Sequence, residues 1–173
     1  MESERLVIDH FGPDDYDLLC ALAGDPAVAG SGGWPVYDGK PDTGNLLMAA
    51  LTAPIAFAIR LKGRDNTDVL IGGVKISLRG ISSLDIGDNE GEISFWIGKP
   101  YWGRNYGLEA VMETLRYAFE ELGLKRVWAA YFDGNKASEK LLAKAGFSYI
   151  YTMEDLWWFP SGDIRTEHIM LLE

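Results

Sequence analysis

Residues 92–110 read EISFWIGKPYWGRNYGLEA, an apolar stretch followed by a loop and the start of a helix. The first seven residues have the composition of a strand, and the loop carries two glycines, Gly103 and Gly107. Beyond Gly107 the apolar residues recur every three or four positions as far as Leu122, which predicts a helix ended by Gly123. A loop that opens a helix in this way presents free backbone N–H groups to an anion, and glycine allows a close approach. The stretch therefore predicts a strand–loop–helix unit suited to a phosphate or pyrophosphate.

Strands are predicted on both sides of this unit, where apolar residues alternate along the chain. Gly72 and Gly73, inside one of these strands, predict a bulge or a close backbone approach. The strands predicted before the helix, which include an antiparallel run, are Leu6–Ile8, Ile55–Ile59, Val69–Leu78 and Glu92–Gly98. The helix is followed by the strand Arg126–Phe132, and the last two strands, Phe147–Phe159 and Ile164–Leu172, form a hairpin.

Helices are predicted from capping residues and helical spacing. One starts at Pro13, a second covers Asn45–Leu51 and is stopped by Ala53-Pro54, and a third runs from Asn135 to Gly146. The stretch 30–44, rich in Gly, Pro and Asp, is predicted to be a loop. The elements together predict an α/β (α+β) fold, with a mixed, mostly antiparallel central sheet flanked by helices.

Composition restricts the class of protein. The 173 residues carry a formal net charge of −10, and 47% of them are apolar, which predicts one domain over residues 1–173. The acidic balance argues against a nucleic-acid partner and favours a cationic acceptor, although acidity also simply promotes solubility. The single cysteine, Cys20, is expected to be buried. With no signal peptide or membrane span recognised, a cytoplasmic protein without a membrane partner is predicted.

The segment 92–110 resembles the acyl-CoA-binding segment of GNAT N-acetyltransferases, and most closely the RimJ/RimL-like branch. The later segments Ala118–Val127, Asn135–Ser138 and Ala145–Phe147 resemble the second half of the same fold. The family pattern usually has Gln or Arg where Trp102 stands and Gly where Asn105 stands. Because Asn tolerates positive φ better than most residues, we expect the loop to form nonetheless.

The resemblance implies a site for acetyl-CoA as cosubstrate and no metal. Backbone amides near Arg104–Leu108 would hold the pyrophosphate, backbone groups of Phe95–Ile97 would bind the pantetheine arm, and Asn135 would hydrogen-bond it. Arg104 could instead be a solvated cation, and Asn135 could also be a helix N-cap. The complete set of predicted cofactor contacts is Phe95, Trp96, Ile97, Trp102, Gly103, Arg104, Asn105, Tyr106, Gly107, Leu108, Asn135 and Ser138.

Catalysis requires the acceptor amine to lose a proton, because an ammonium has no lone pair. By resemblance, Glu92 is the candidate base and contacts the acceptor, although it could also be an ordinary acid at a strand edge. Ser138, near the sulfur, is the candidate acid for the leaving thiolate unless it is simply a solvated helix residue. Tyr131 and Tyr106 are the backup donors, and His10 and His168 are weaker candidates.

The acceptor pocket is predicted to be aromatic, with Trp34 as the first candidate and Trp157, Trp158 and Phe159 beside it. Simple packing in the core or in a homodimer is the alternative role for these residues. The predicted reaction transfers acetyl from acetyl-CoA directly to a primary amine, on a protein N-terminus or a small molecule, in a ternary complex. The alternatives are a CoA-binding or ligand-sensing module without catalysis and a purely structural protein.

Overall fold

The computed structural model describes residues 1–52, 55–63, 67–158 and 162–173. Within these ranges seven strands form one sheet: β1 (Leu6–Asp9), β2 (Ala56–Leu61), β3 (Val69–Leu78), β4 (Glu90–Ile97), β5 (Arg126–Phe132), β6 (Ser148–Trp158) and β7 (Asp163–Leu172). The same ranges contain five α-helices: α1 (Tyr16–Ala23), α2 (Pro26–Gly32), α3 (Pro41–Leu51), α4 (Tyr106–Glu120) and α5 (Lys136–Lys144).

The sheet has the order β1-β2-β3-β4-β5-β7-β6. The first four strands are antiparallel to one another, whereas β4 and β5 are parallel. The β7 strand lies between β5 and β6 and is antiparallel to both. The parallel pair is joined by α4, as expected for a strand–helix–strand unit. The predicted mixed, mostly antiparallel sheet flanked by helices is confirmed.

Helices cover both faces of the sheet, because the central strands carry apolar side chains on each of their two faces. On one face α4 and α5 pack against the sheet, with Val111 and Leu142 fully buried beside Ile71 of β3. On the other face α1, α2 and α3 cover the neighbouring residue of the same strand, Leu70. Cys20 is buried in this second layer, as predicted.

The parallel strands β4 and β5 separate soon after they begin. They pair only from Glu90 with Arg126 to Glu92 with Trp128, whereas β4 continues to Ile97 and β5 to Phe132. Over its full length β5 is held by β7 instead. The sheet is therefore split between its two central strands, and the split exposes the backbone edge of β4 beyond Glu92.

Gly72 and Gly73 of β3 lie directly opposite Ile97 and Trp96 of β4. A methyl group at Gly72 would lie 2.3 Å from the carbonyl oxygen of Trp96, and one at Gly73 would lie 2.6 Å from the indole nitrogen of that residue. The register between β2 and β3 also shifts here, between Ile59 and Arg60. Both parts of the prediction, the bulge and the close approach, are confirmed.

The prediction of a loop over residues 30–44 is wrong at both ends. Residues Pro26–Gly32 form α2, whose N-cap Asp25 accepts a hydrogen bond from the N–H of Ala27 at 2.8 Å. The α3 helix begins at Pro41 rather than Asn45. Local composition was misleading because burial of Val28 and Ala29 supports a helix that its small residues would not form alone.

Some predicted features lie outside the described residues. These are the stop at Ala53-Pro54, the aromatic Phe159, and residues 160–161 of the turn between β6 and β7. In the described part of the chain, none of the helices combines the length and hydropathy that crossing a bilayer requires.

Candidate functional site

A cleft of about 760 Å³ occupies the split between β4 and β5. It runs from the end of β4, past the start of α4, and along the whole length of α5. The structure brings together here all the residues predicted to contact the cofactor except Arg104: Phe95, Trp96, Ile97, Trp102, Gly103, Asn105, Tyr106, Gly107, Leu108, Asn135 and Ser138.

The start of α4 has the geometry of an anion-binding turn. Gly103 and Asn105 both have left-handed backbone conformations, with φ of 73° and 62°. As expected, Asn105 therefore takes the conformation that glycine would take. Its side chain makes no capping hydrogen bond to the helix. The first N–H groups of α4, which have no partner within the helix, are left for a ligand in the cleft.

Arg104 is placed differently from the prediction. It is exposed and does not line the cleft. Its contribution is its backbone carbonyl, which accepts a hydrogen bond from the guanidinium of Arg5 at 3.1 Å. The same guanidinium lies 4.6 Å from the ring centre of Tyr106 and pairs with Glu109. Arg5 thus fixes the loop and the helix start, and the interpretation of Arg104 as a solvated cation fits its position.

Three lysines on α5 line the cleft: Lys136, Lys140 and Lys144. Lys136 is paired with Glu139 at 2.8 Å, whereas Lys140 and Lys144 have no ion-pair partner among the described residues. In a chain of net charge −10, these two cations one helical turn apart give this wall of the cleft a local positive charge. The sequence analysis did not select these lysines, although their four-residue spacing on a predicted helix was a usable signal.

Asn135 and Ser138 lie together at the start of α5. The side-chain oxygen of Asn135 accepts the N–H of Ser138 at 3.1 Å, so Asn135 is the N-cap of the helix. Its amide nitrogen donates to the carbonyl of Ser31 at 3.4 Å. Asn135 therefore joins α5 to the end of α2 across the split in the sheet.

A second cavity, of about 300 Å³, lies beside the first. The two cavities meet at the split in the sheet, because eight residues line both of them: Ser31, Gly32, Trp34, Phe95, Trp96, Phe132, Asn135 and Ser138. Beyond the shared wall, the second cavity extends towards β3 and β7, away from the lysines of α5.

The three predicted catalytic residues all line the second cavity. Glu92 is half-buried, and its carboxylate accepts hydrogen bonds from the hydroxyl of Ser82 at 2.6 Å and the N–H of Ser83 at 2.9 Å. Burial raises the pKa of Tyr131. Ser138 lines both cavities, as a residue placed between donor and acceptor would.

One residue in this wall was not predicted. Glu167 of β7 is only 8% exposed and lines the second cavity. Nothing in the sequence around it resembles a motif, and it reaches the site only because β7 lies between β5 and β6. The local sequence therefore contains no pattern that would have identified Glu167 as a site residue.

The predicted acceptor aromatics divide into two groups. Trp34 and Trp158 line the second cavity, and each is fixed by its indole N–H, which donates to the carbonyl of Ala23 and of Gly33 respectively. Trp157 points into solvent at 65% exposure and lines neither cavity, so its predicted place in the pocket is wrong. Neighbouring residues of a strand face opposite sides, which is why only one of the two adjacent tryptophans reaches the site.

The two histidines line neither cavity, although His168 contacts one lining residue of each, Asp133 and Tyr131. His168 is bonded to Asp133 at 3.2 Å and to Thr152 at 2.9 Å, and His10 lies against Phe57. In the described ranges, no three His, Cys, Asp or Glu side chains are grouped as a metal site would need. That the protein uses no metal stays a prediction.

A split sheet with an anion-binding helix start beside it defines the class of acyl-CoA-dependent transferases. The model of the acetyltransferase (GNAT) domain matches residues 5–148, most of the chain. The chain belongs to the GNAT acetyltransferase family, whose members take their acetyl group from acetyl-CoA, and is itself an acetyltransferase. The narrower resemblance to the RimJ/RimL-like branch stays a prediction.

Individual relatives agree with this assignment. The chain is 27% identical over 153 residues to the uncharacterized N-acetyltransferase p20 of Bacillus licheniformis, covering 84% of this chain and 80% of that one. It is 33% identical over 84 residues to the uncharacterized N-acetyltransferase YoaA of Bacillus subtilis, which covers 49% of this chain and 45% of the relative.

Solved structures share the fold at low identity. A GNAT-family acetyltransferase from Bacillus anthracis has a TM-score of 0.81 at 22% identity, with 99% of this chain and 96% of that chain covered. The spermidine N-acetyltransferase of Vibrio cholerae, solved with CoA and spermine, has a TM-score of 0.74 at 16% identity, with 98% and 96% covered. At these identities the likeness establishes the fold alone.

Proposed function

We propose that the protein binds acetyl-CoA in the larger cleft and transfers its acetyl group to a primary amine held in the smaller cavity. The observation that carries this proposal is that the two cavities meet at the split between β4 and β5, where they share a wall. An amine and a thioester placed on the two sides would face each other there. We further propose that residues 1–173 act as a single catalytic domain.

Each part of acetyl-CoA can be assigned to a different part of the larger cleft. Phosphates would lie against the N–H groups at the start of α4 and near Lys140 and Lys144, since these are the anion-binding features of the cleft. The backbone edge of β4 at Phe95–Ile97 would pair with the amides of the pantetheine arm, except at the carbonyl of Ile97, which accepts the indole N–H of Trp102 at 2.6 Å. A donor on that edge would also polarise the thioester carbonyl.

Direct transfer in a ternary complex is the mechanism these positions favour. An acetylated enzyme intermediate would need a reachable nucleophile, and Cys20 lies outside both cavities with 1% exposure. Burial also raises the pKa of its thiol. In this proposal Ser138 would supply a proton to the departing thiolate, with Tyr131 as the second candidate.

The acetyl donor is tested by titrating the folded protein with acetyl-CoA in a calorimeter. We expect one binding site per chain. Acetyl-CoA alone should leave the mass of the protein unchanged, because no acetyl group is stored on the enzyme. Failure of the folded protein to bind acetyl-CoA would contradict the proposed function and leave only the fold.

The two unpaired lysines provide a sharper test of the donor site. We expect Lys140→Ala combined with Lys144→Ala to weaken acetyl-CoA binding about tenfold, by roughly 1.4 kcal/mol, because two cations beside the phosphates are lost. The loss should shrink as salt concentration rises, since the contacts are exposed. Calorimetry at two salt concentrations measures both effects.

Lys125→Ala is the matched control for this pair. Lys125 is also exposed, but it precedes β5 at the end where β4 and β5 are still paired. Acetyl-CoA affinity should be unchanged in this variant. Equal losses in the control and in the double variant would mean that overall charge, rather than the position of the lysines, sets the affinity.

A non-catalytic, ligand-sensing module is the alternative function, and a distorted loop at Asn105 would favour it. Because Asn105 takes the left-handed conformation of the expected glycine, the departure from the family pattern does not distort the loop. The transferase is therefore the better-supported function.

A homodimer is a second proposal about partners. The β6 strand is at the edge of the described sheet, and Tyr149, Ile150 and Tyr151 on it are 57%, 45% and 41% exposed. An exposed edge of this kind favours pairing with another strand. Light scattering on the purified protein would give its mass in solution, and a monomer at all concentrations would contradict the proposal.

A further inference from the structure

Glu167 is a buried carboxyl group without a partner. Its side chain lines the second cavity, and the residue is 8% exposed. Among the described residues its carboxylate has no hydrogen-bond partner and no ion-pair partner, although its backbone pairs with β5 and β6. Buried carboxylates are normally paired, because an isolated charge loses its hydration. An unpaired one facing a cavity points to a cationic ligand.

Glu92, the other carboxylate of the same cavity, is already occupied. Its oxygens accept hydrogen bonds from the hydroxyls of Ser82 and Ser83 and from the N–H of Ser83. These bonds tie β4 to the loop that follows β3. Glu92 is therefore a positioning residue, and Glu167 is the carboxylate left for the acceptor.

The surroundings of Glu167 suit proton transfer. Burial raises the pKa of Glu167, and the nearby charge of Glu92 raises it further, while Arg165 on the same strand acts in the opposite direction. The other titratable groups around the cavity are Lys75 on β3 and Tyr131 on β5. A general base works best when its pKa lies near the operating pH, so a raised value makes Glu167 a better base than an ordinary glutamate.

The rest of the cavity is small, and its walls combine aromatic side chains with serines and other polar side chains. Its walls include the aromatic residues Trp34, Trp96, Phe132 and Trp158, and its volume is about 300 Å³. A long polyamine would place further ammonium groups against these walls, where no second free carboxylate is described. A compact amine with one positive charge matches the single available acid, and an apolar body on that amine matches the aromatic part of the walls.

We propose that Glu167 binds the ammonium group of a compact, apolar monoamine and takes the proton that the amine must lose. This inference rests on the proposed transferase function. The neutral amine then forms an N–C bond to the thioester carbonyl carbon, and the C–S bond breaks with its electron pair on sulfur. The second proton on nitrogen passes to the sulfur, giving the amide and the CoA thiol, and Glu167 returns its proton to solvent.

The test compares Glu167→Gln with wild type, using acetyl-CoA and 2-phenylethylamine as the acceptor probe. Loss of a general base should lower kcat/KM at least about 100-fold. In wild type the acid limb of the pH profile should lie above the ordinary glutamate pKa of about 4.3, and it should be absent in Glu167→Gln. Glu92→Gln should lose less activity and keep the acid limb. Glu154→Gln, on the exposed part of β6, is the unaffected control.

The outcomes show which of three claims fails: the role of Glu167, the acceptor class or the proposed function. Wild-type turnover and an unchanged pH profile in Glu167→Gln would overturn the role of Glu167. Acetylation of spermidine but not of 2-phenylethylamine would overturn the acceptor class. Absence of acetyl-CoA binding in wild type would overturn the proposed function itself and, with it, this inference. Acetyl-CoA binding without turnover of either amine would overturn the acceptor class and leave the donor site standing.

A second measurement separates this role from a structural one. Because the folded-state pKa is raised, the stability contributed by the neutral Glu167 side chain is lost as pH rises through that pKa. At pH 7.5 we therefore expect Glu167→Gln to unfold at a temperature equal to or above that of wild type. The difference should shrink at acid pH, where Glu167 is protonated. A marked loss of stability at pH 7.5 would identify Glu167 as a structural residue.

Discussion

Asn105→Asp is expected to weaken acetyl-CoA binding by about 10- to 100-fold, or roughly 1.4 to 2.7 kcal/mol. The substitution keeps the size of the side chain and, like Asn, Asp tolerates the left-handed backbone conformation found at this residue. What changes is the charge, because a carboxylate would lie where the phosphates of acetyl-CoA approach the start of α4. Calorimetric titration of both proteins with acetyl-CoA measures the effect.

Asn105→Gly is the matched control for this substitution. Glycine adopts φ of 62° without steric cost, so acetyl-CoA affinity should equal or slightly exceed that of wild type. Stability should not fall in Asn105→Asp either, since an acid at the start of a helix is favourable by about 0.3–1 kcal/mol. Unchanged acetyl-CoA affinity in Asn105→Asp would show that the phosphates bind somewhere other than this turn.

Gly72→Ala is expected to cost about 3 kcal/mol of unfolding free energy, at the upper end for overpacking a core. The added methyl group would lie 2.3 Å from the carbonyl oxygen of Trp96 and 3.1 Å from the Cα of Ile97, and both are backbone atoms that cannot rotate away. The melting temperature should fall by roughly 6–12 °C for a domain of this size. Acetyl-CoA affinity should also fall, because the displaced β4 segment lines the cleft.

Gly30→Ala provides the comparison for Gly72→Ala. Its methyl group would meet nothing within 4 Å, and the residue lies inside α2, where alanine is favoured over glycine by about 1 kcal/mol. Thermal unfolding should therefore show equal or higher stability. If the two variants melted at the same temperature, the close approach of β3 to β4 would not be a constraint on this fold.

The elements that carry a strong periodic pattern could be predicted from the sequence. The helix after Gly107 and the strand Val69–Leu78 were predicted from spacing alone, and the structure confirms them. The short helix Pro26–Gly32 could not be predicted in the same way. Its residues are small and its stability comes from burying Val28 and Ala29 against other elements, which is information that lies elsewhere in the chain.

The two halves of the candidate site also differ in how far their residues could be predicted from local sequence. The proposed donor cleft is built mostly from one continuous stretch, so nearly all its predicted residues do line it. The proposed acceptor cavity is assembled from distant segments of the chain, namely β3 to β7, α5 and the segment after α2. Glu167 enters it through strand register, opposite Phe132 of β5, and this pairing is invisible without the sheet order. Arg104 is the opposite case, because it was predicted to contact the cofactor and does not line the cleft. Its position in the predicted phosphate-binding loop did not bring its side chain into the cleft.

The position of β7 between β5 and β6 has a consequence for synthesis on the ribosome. Both flanking strands emerge from the exit tunnel before the strand that separates them. The nascent chain therefore cannot complete this half of the sheet until residues up to Leu172 are free, and the wall that carries Glu167 is the last part of the acceptor cavity to form. We expect chains stalled before β7 to lack the protease resistance of the released protein.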